Sequence, residues 1–123
     1  MRIVLTLLLM LATPLAHADW TKATEDDEAV HYIDSATLAK DGNLRSIGTM
    51  QDLKRRGKQG EMSRQARWEY DCTQKRGRLL SFSLHSGPMA TGQTLASGHT
   101  PRELTFITPG STGEALYKIA CGR

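Results

Sequence analysis

The residues best suited to chemistry in this chain are its two cysteines, Cys72 and Cys121. A zinc site needs about four ligands at short spacings, and neither thiol has another cysteine or a histidine close by in sequence. A catalytic thiol needs a partnered histidine, which a sequence alone does not exclude. If the chain is exported, as its first residues indicate, an even cysteine count favours pairing. We therefore expect one disulfide, which closes a loop of about 50 residues and stabilises the fold by roughly 4 kcal/mol.

Other catalytic or ligand-binding patterns are weak. His31, His85 and His99 are far apart in sequence, and an isolated histidine is more often a surface or core residue than a ligand. A haem or metal site that combines His31 or His85 with a tyrosine stays an alternative, as does an enzyme that uses His85 or Cys72. The acidic run at 25–28 lacks the ligand spacing of a calcium loop. No phosphate loop, HExxH motif or nucleophile elbow is present, so we assign no catalytic residue, metal or cofactor.

Two clusters of cations are the best candidate for a binding surface. Each is expected in a loop between strands, where long cationic side chains point outward together. Two such loops at one end of a sheet would form one positive patch, suited to acidic proteins, sulfated glycans or anionic lipid headgroups. The alternative is that the charges only solvate the loops and protect strand edges. The candidate residues are Lys54, Arg55, Arg56 and Lys58, called the loop cluster, and Lys75, Arg76 and Arg78, called the turn cluster.

The first 18 residues have the pattern of a secretory signal peptide. Arg2 precedes an apolar run that is short for a membrane span, and a small-x-small site ends at Ala18. We predict cleavage there, a mature domain over 19–123 and no transmembrane segment in it; the alternatives are an uncleaved membrane anchor or a buried helix. No cysteine near this site offers lipoprotein acylation. We expect the protein in the periplasm, with the cell surface or secretion as alternatives. Export and a formal net charge of only +3 disfavour nucleic acid as partner.

Alternating apolar and polar residues predict antiparallel strands. Residues 66–72, "ARWEYDC", alternate along their whole length, which is typical of a strand with one buried face and one solvated face. After a basic turn, the next run places Leu80, Phe82 and Leu84 on the buried face and His85 on the solvated face. The two runs therefore predict a hairpin.

The end of the chain predicts a helix. Ser111 and Glu114 have the spacing of a capping box, and Leu116, Ile119 and Ala120 then recur on one helical face. Earlier, the stretch 34–43 suggests a turn, a brief helical segment and a hairpin. The fold class that follows is α+β: a single antiparallel sheet of about five to six strands, with a C-terminal helix packed on it and tied to it by one disulfide.

Several segments, in order, resemble the surface-adhesin protein E family of Gram-negative bacteria. They are "YIDSATL", "DGN", "SRQARWEYDC", "SLHSGPM" and "PGSTGEALYKIAC", and they extend over nearly the whole chain after the signal region. The resemblance implies an antiparallel sheet joined to a C-terminal helix by one disulfide, with Cys72 and Cys121 at the matching positions. It also implies adhesion to host matrix or serum proteins such as laminin and vitronectin.

We therefore predict an exported, non-enzymatic binding domain. Its partners would be extracellular matrix or serum proteins, or anionic glycans, recognised through the basic loops. The alternative is a soluble periplasmic accessory or envelope-maintenance protein that binds a protein partner through a sheet edge or an apolar patch.

Overall fold

A computed structural model describes residues 19–99 and 101–122, so the predicted signal peptide lies outside the described residues. Within these ranges no helix is both long and apolar enough to span a bilayer. The secondary structure comprises β1 (Thr21–Glu25), β2 (Ala29–Asp41), β3 (Leu44–Leu53), β4 (Ser63–Asp71), β5 (Arg76–His85), β6 (Thr94–Gly98), β7 (Thr105–Phe106) and α1 (Thr112–Cys121).

The strands form one antiparallel sheet in which neighbours in sequence are neighbours in space. The order is β1-β2-β3-β4-β5-β6, and the two-residue β7 pairs with the start of β5. Short connections of this kind favour an up-and-down meander. The predicted antiparallel sheet with a C-terminal helix is confirmed, with six strands in the main path and one short addition.

The core lies between α1 and one face of the sheet, called here the helix face. Ile33 is paired with Thr49, and Ile47 with Trp68, so these side chains project from the same face. Together with Tyr70 they pack against the buried residues of the helix, which are Leu116, Tyr117 and Ala120. The helix lies over β1, β3 and β4, and it leaves the β5–β6 side of the same face uncovered.

Local hydrogen bonds at both ends explain where α1 begins and ends. The Ser111 side chain accepts a bond from the Glu114 backbone N–H at 3.2 Å, and Glu114 accepts one from the Gly110 N–H at 3.3 Å. Gly122 then ends the helix in a left-handed conformation with φ of 69°. The predicted helix is therefore confirmed, but Ile119 is 41% exposed, and Tyr117 takes its place in the core.

The disulfide between Cys72 and Cys121 is confirmed and joins the end of β4 to the end of α1. A second contact supports the same junction: the hydroxyl of Tyr117 donates to the Cys72 carbonyl at 3.0 Å. The Tyr117 ring also meets the Tyr70 ring edge to face, with centroids 6.0 Å apart. Burial raises the pKa of the Tyr70 phenol well above its usual range. The helix is thus fixed to the sheet covalently, by a hydrogen bond and by aromatic packing.

Strand β5 departs from simple alternation. Leu79 is paired with Trp68 and Ser81 with Arg67, so Leu80 is the extra residue of a bulge and Leu79 is the one that lies opposite Trp68. Phe82 does project from the helix face, but α1 does not reach it and it is 37% exposed. The prediction that Leu80 lies on the buried face is therefore wrong, because Leu79 occupies that position. The prediction that His85 faces solvent is also wrong, because this side chain is buried.

Candidate protein-binding groove

The two cationic clusters lie at opposite ends of the sheet. The loop cluster follows β3, whereas the turn cluster begins in the connection that follows β4. Strand β4 separates these connections, since Asp52 pairs with Ser63 at one end and Leu44 pairs with Asp71 at the other. The conditional expectation that both clusters meet in one patch therefore does not hold.

The turn cluster is engaged within the molecule. Lys75 Nζ lies 2.5 Å from a Glu114 carboxylate oxygen, which ties the turn to the helix. Arg78 binds the Glu69 carboxylate through Nε at 2.9 Å and Nη2 at 2.8 Å. The Arg76 guanidinium lies over an aromatic ring of β7, 4.3 Å from its centroid. Lys75 and Arg78 are thus paired with carboxylates, whereas Arg76 is held by the aromatic ring alone.

The loop cluster makes fewer contacts within the molecule. Lys54 has a long contact of 3.7 Å with Glu25, and Arg56 donates to the Gly60 carbonyl at 2.7 Å. Arg55 and Lys58 are exposed, and no hydrogen bond or ion pair holds them within the part of the chain that the structure describes. Their charges are therefore open to a partner.

A buried carboxylate shapes the loop that carries these cations. The Glu61 side chain is only 3% exposed, lies 3.3 Å from Arg64 Nη2, and accepts a bond from the Gln59 N–H at 3.3 Å. Gly57 passes so close that a Cβ atom there would lie 1.4 Å from Glu61 Oε1. Glu61 is not predicted from the sequence, although Gly57 within the basic run leaves room for a side chain to pack there.

A groove, called here the loop-end groove, opens between this loop and the uncovered part of the helix face. Its volume is about 750 Å³. Apolar residues of β4 and β5 form its floor, and among them Phe82 is exposed although it projects from the face that carries the core. Asp27 and Glu28 lie on its acidic side. The cations that line it are Arg55, Arg56, Lys58, Arg64 and Arg102.

Arg102 reaches the groove from a distant part of the sequence. Its backbone N–H donates to the Leu79 carbonyl at 3.1 Å, which holds the segment after β6 against β5. Arg64 comes from β4 and is partly fixed by Glu61. Neither residue is predicted from the sequence, because both lie outside the two runs of clustered charge.

A second cavity, called here the helix-end cavity, lies between the sheet, the start of α1 and β7. Its volume is about 390 Å³, and Trp68, Tyr70 and His31 are among the residues that line it. Four lining residues, Glu28, Thr49, Gln51 and Trp68, are shared with the loop-end groove. The two spaces are therefore neighbours on one face of the sheet.

Asp26 organises the wall of the helix-end cavity. Its Oδ1 accepts the N–H groups of Glu28 at 2.9 Å and Ala29 at 3.0 Å. Its Oδ2 contacts His31 Nε2 at 2.8 Å and accepts the Thr112 hydroxyl at 3.0 Å. These bonds, that from the Glu28 N–H foremost, hold the pKa of Asp26 far below its usual range. The carboxylate therefore links the β1–β2 connection to the start of the helix.

Among the described residues, no group of three or more acidic, histidine or cysteine side chains could hold a metal ion. Cationic side chains around a partly exposed aromatic floor are typical of surfaces that bind acidic polypeptides.

The family model for surface-adhesin protein E matches residues 20–122. The chain belongs to this family. The resemblance inferred from the sequence is thereby confirmed, and the chain is a surface-adhesin-like domain.

Solved structures of the family share the fold. Crystal form II of Haemophilus influenzae protein E superposes with a TM-score of 0.68 at 13% identity, covering 86% of this chain and 89% of that chain. Protein E from non-typeable Haemophilus influenzae has a TM-score of 0.65 at 12% identity, covering 89% and 80% respectively. Among curated protein sequences, none matches this chain significantly.

Proposed function

We propose that this chain is an exported, non-enzymatic, adhesin-like domain that binds a host matrix or serum protein through the loop-end groove. Membership of a surface-adhesin family supports a role in binding. One observation carries the choice of surface: Arg55 and Lys58 are exposed and unpaired in the described structure, beside a floor that includes the exposed ring of Phe82. The turn cluster, which is paired internally, takes no part.

The apolar floor favours an acidic protein over a sulfated glycan. A sulfated glycan is bound mainly through its anionic groups, whereas a protein segment can also bury apolar side chains. A protein segment can place carboxylates against the guanidinium and ammonium groups while an apolar side chain covers Phe82. Full burial of a phenylalanine side chain contributes about 1.5–3 kcal/mol, and covering Phe82, which is 37% exposed, would contribute part of that.

Export is part of the proposal. Residues 1–18 would direct the chain across the inner membrane, and adhesion would require a further step to the cell surface. Protease added to intact cells tests that step: digestion of the protein would support surface exposure, whereas protection until the outer membrane is opened would place it in the periplasm.

The groove is tested with the purified mature chain on laminin and vitronectin. We expect Arg55→Ser combined with Lys58→Ser to weaken binding about tenfold, equivalent to about 1.4 kcal/mol. The thermal midpoint should stay nearly constant, because neither residue makes an internal contact among those described.

A matched control removes the same charge elsewhere. Lys40 is exposed on β2, and Lys118 is exposed on the helix, where it lies 3.6 Å from Glu114. Lys40→Ser with Lys118→Ser should leave binding within about twofold, with at most a small loss of helix stability. Equal loss in both variants would mean that only net charge matters, which contradicts the groove. Retention on heparin that is strong and indifferent to Phe82→Ala would favour a glycan partner instead.

A second candidate function is supported by the sheet edge. Strand β6 is the last strand of the main path, and Leu95 on it is 40% exposed. A soluble periplasmic accessory protein could bind a partner there through backbone pairing. Recovery of one stoichiometric periplasmic protein, insensitive to salt and lost on Leu95→Asp, would favour this function over the electrostatic one.

A further inference from the structure

The face of the sheet opposite the helix face, called here the back face, carries a pocket that the proposed function does not use. Asp34 pairs with Gly48, and Gly48 pairs in turn with Arg67, so the three residues form one row across β2, β3 and β4. Because glycine has no side chain, the row is open in its middle, with about 10 Å between the Cα atoms of Asp34 and Arg67. The space at this opening, called here the back-face pocket, has a volume of about 340 Å³, which suits a small ligand.

Asp34 offers this pocket an acceptor that the fold does not use. The residue is only 6% exposed, and its Oδ1 accepts the Ala36 N–H at 3.1 Å. Oδ2 has no donor among the described residues and is not sealed by protein, so it opens into the pocket that Asp34 lines. A carboxylate oxygen that is largely withdrawn from water and lacks a donor favours a ligand that supplies one.

Arg67 offers donors from the other side of the opening. Its Nη2 donates to the Thr37 carbonyl and to the Ser46 hydroxyl, both at 2.9 Å. These two bonds hold the guanidinium against the sheet. They leave Nε and Nη1 without an acceptor in the part of the chain that the structure describes. The pocket therefore places fixed donors opposite a fixed acceptor, an arrangement that costs little ordering when a ligand binds.

Trp20 gives the pocket an aromatic wall. It directly precedes β1 and lines the pocket together with Asp34. The residue is partly exposed, and its indole N–H makes no hydrogen bond within the described ranges. A tryptophan side chain combines a flat apolar surface with one polar edge, so it can pack against C–H groups and also bind a hydroxyl.

The lining of the pocket indicates the class of ligand. Among the described lining residues, one carboxylate and one guanidinium balance each other, so neither an anion nor a cation is favoured. The other polar side chains are uncharged and can both donate and accept hydrogen bonds; they are Thr37, Gln65, Ser81 and Ser83. A pyranose ring matches this lining, because its hydroxyl groups donate and accept while its C–H faces are apolar.

We propose that the back-face pocket binds a neutral saccharide. One pyranose ring packs against the indole of Trp20, one of its hydroxyl groups donates to Asp34 Oδ2, and another accepts from the free N–H groups of Arg67. None of these three residues lines the loop-end groove, which lies on the other face of the sheet. The inference therefore adds a second binding activity and does not depend on the proposed function.

Ligand-detected NMR on the purified mature chain tests this pocket. The probes are lactose and mannobiose, which represent host glycans, and diacetylchitobiose, which represents the amino-sugar backbone of the bacterial wall. We expect saturation transfer from the protein to the ring C–H protons of at least one disaccharide. Free alanine, a zwitterion with no net charge, should receive none. The disaccharide that binds most tightly identifies the source of the ligand.

Variants assign the binding to this pocket. Trp20→Ala and Asp34→Asn should each weaken it about tenfold, through loss of the ring contact or of the charge-assisted hydrogen bond. The asparagine keeps an oxygen that can accept the Ala36 N–H, and circular dichroism checks that both variants fold. Phe106→Ala is the matched control, since it removes a 72% exposed aromatic side chain outside the pocket and should change binding less than twofold.

The outcomes separate this inference from the proposed function. Absence of saturation transfer to every disaccharide, preferential binding of alanine, or equal affinity in Trp20→Ala and Phe106→Ala would overturn the saccharide site. None of these results bears on binding of laminin or vitronectin by the loop-end groove. Conversely, Arg55→Ser with Lys58→Ser should leave saccharide binding unchanged, because neither side chain lines the back-face pocket.

Discussion

At the scale of single residues, Glu61 links the backbone of the basic loop to one of the cations of the candidate site. Its buried carboxylate accepts a hydrogen bond from the Gln59 N–H and contacts Arg64. It therefore holds both the loop backbone and one cation of the groove in place. The exposed cations of the loop cluster depend on this support. A buried anion, Glu61, therefore supports a loop whose exposed side chains are positively charged.

The close approach of Gly57 to Glu61 gives a stability prediction. A Cβ atom at Gly57 would overlap Glu61 Oε1, so Gly57→Ala should lower the free energy of unfolding by about 1–3 kcal/mol and also weaken partner binding. The measurement is urea denaturation followed by tryptophan fluorescence.

Gly113 provides the matched control within α1. A Cβ atom there would come no closer than 3.5 Å to a neighbouring heavy atom, so Gly113→Ala should be neutral or stabilise the fold by up to about 1 kcal/mol. If both alanine variants behave alike, the packing of Gly57 on Glu61 does not control the loop.

At the scale of elements, the strands with regular alternation were predictable and the irregular ones were not. Strand β4 alternates without interruption, and its register follows from burial of one face. The bulge at Leu80 depends on how β5 twists against β4, which no local pattern encodes. The stretch 34–43 was predicted as partly helical, but its backbone instead continues β2 to Asp41 through an irregularity after Asp34.

Side-chain contacts explain that irregular part of β2. Asp34 Oδ1 accepts the Ala36 N–H at 3.1 Å, and the Thr37 hydroxyl donates to the Asp34 carbonyl at 2.6 Å. These local bonds resemble those of a turn, which accounts for the helical prediction. Thr37 also accepts the Gly48 N–H at 2.7 Å, and this contact across the sheet keeps the segment in the strand. The candidate site was predicted only in part for a similar reason, since Arg102 and Glu61 join it through tertiary contacts.

The disulfide gives a prediction for the junction of sheet and helix. Replacing Cys72 and Cys121 together by serine should lower the free energy of unfolding by about 4 kcal/mol, because the oxidised loop restricts the unfolded chain. Tyr117→Phe should cost only about 1 kcal/mol, the worth of its hydrogen bond to the Cys72 carbonyl. Urea denaturation measures both changes in stability. If the double serine variant were no less stable than Tyr117→Phe, the disulfide would not be the main stabilising link at this junction.

At the scale of the whole molecule, three carboxylates couple stability to pH. Hydrogen bonds lower the pKa of Asp26, chiefly that from the Glu28 N–H, and of Asp71, chiefly that from the Thr73 hydroxyl. A bond from Lys75 does the same for Glu114. A depressed pKa in the folded state adds stability above the unfolded value, and this contribution is lost as pH falls through the folded value. Stability should therefore decline below about pH 4.

Asp26→Asn tests this dependence. At pH 6 the variant should be less stable than the parent, and the difference should shrink steadily as pH falls below about 4, because the unfolded parent then takes up a proton at Asp26 that the folded parent resists. Asp41→Asn is the control, since this exposed side chain makes no hydrogen bond in the described structure. A difference that stays constant with pH would mean that Asp26 acts only through its shape.

The meander has a consequence for the order in which this chain can assemble. Each main strand pairs with the strand just before it, so the sheet can grow by successive hairpins while the rest of the polypeptide is still arriving. The helix that completes the core is synthesised last. Cys72 therefore cannot form its disulfide until Cys121 has been added at the end of the chain. During this interval Ile33, Ile47 and Tyr70 lack their cover, so early intermediates should be vulnerable to aggregation, and oxidation should mark the end of maturation.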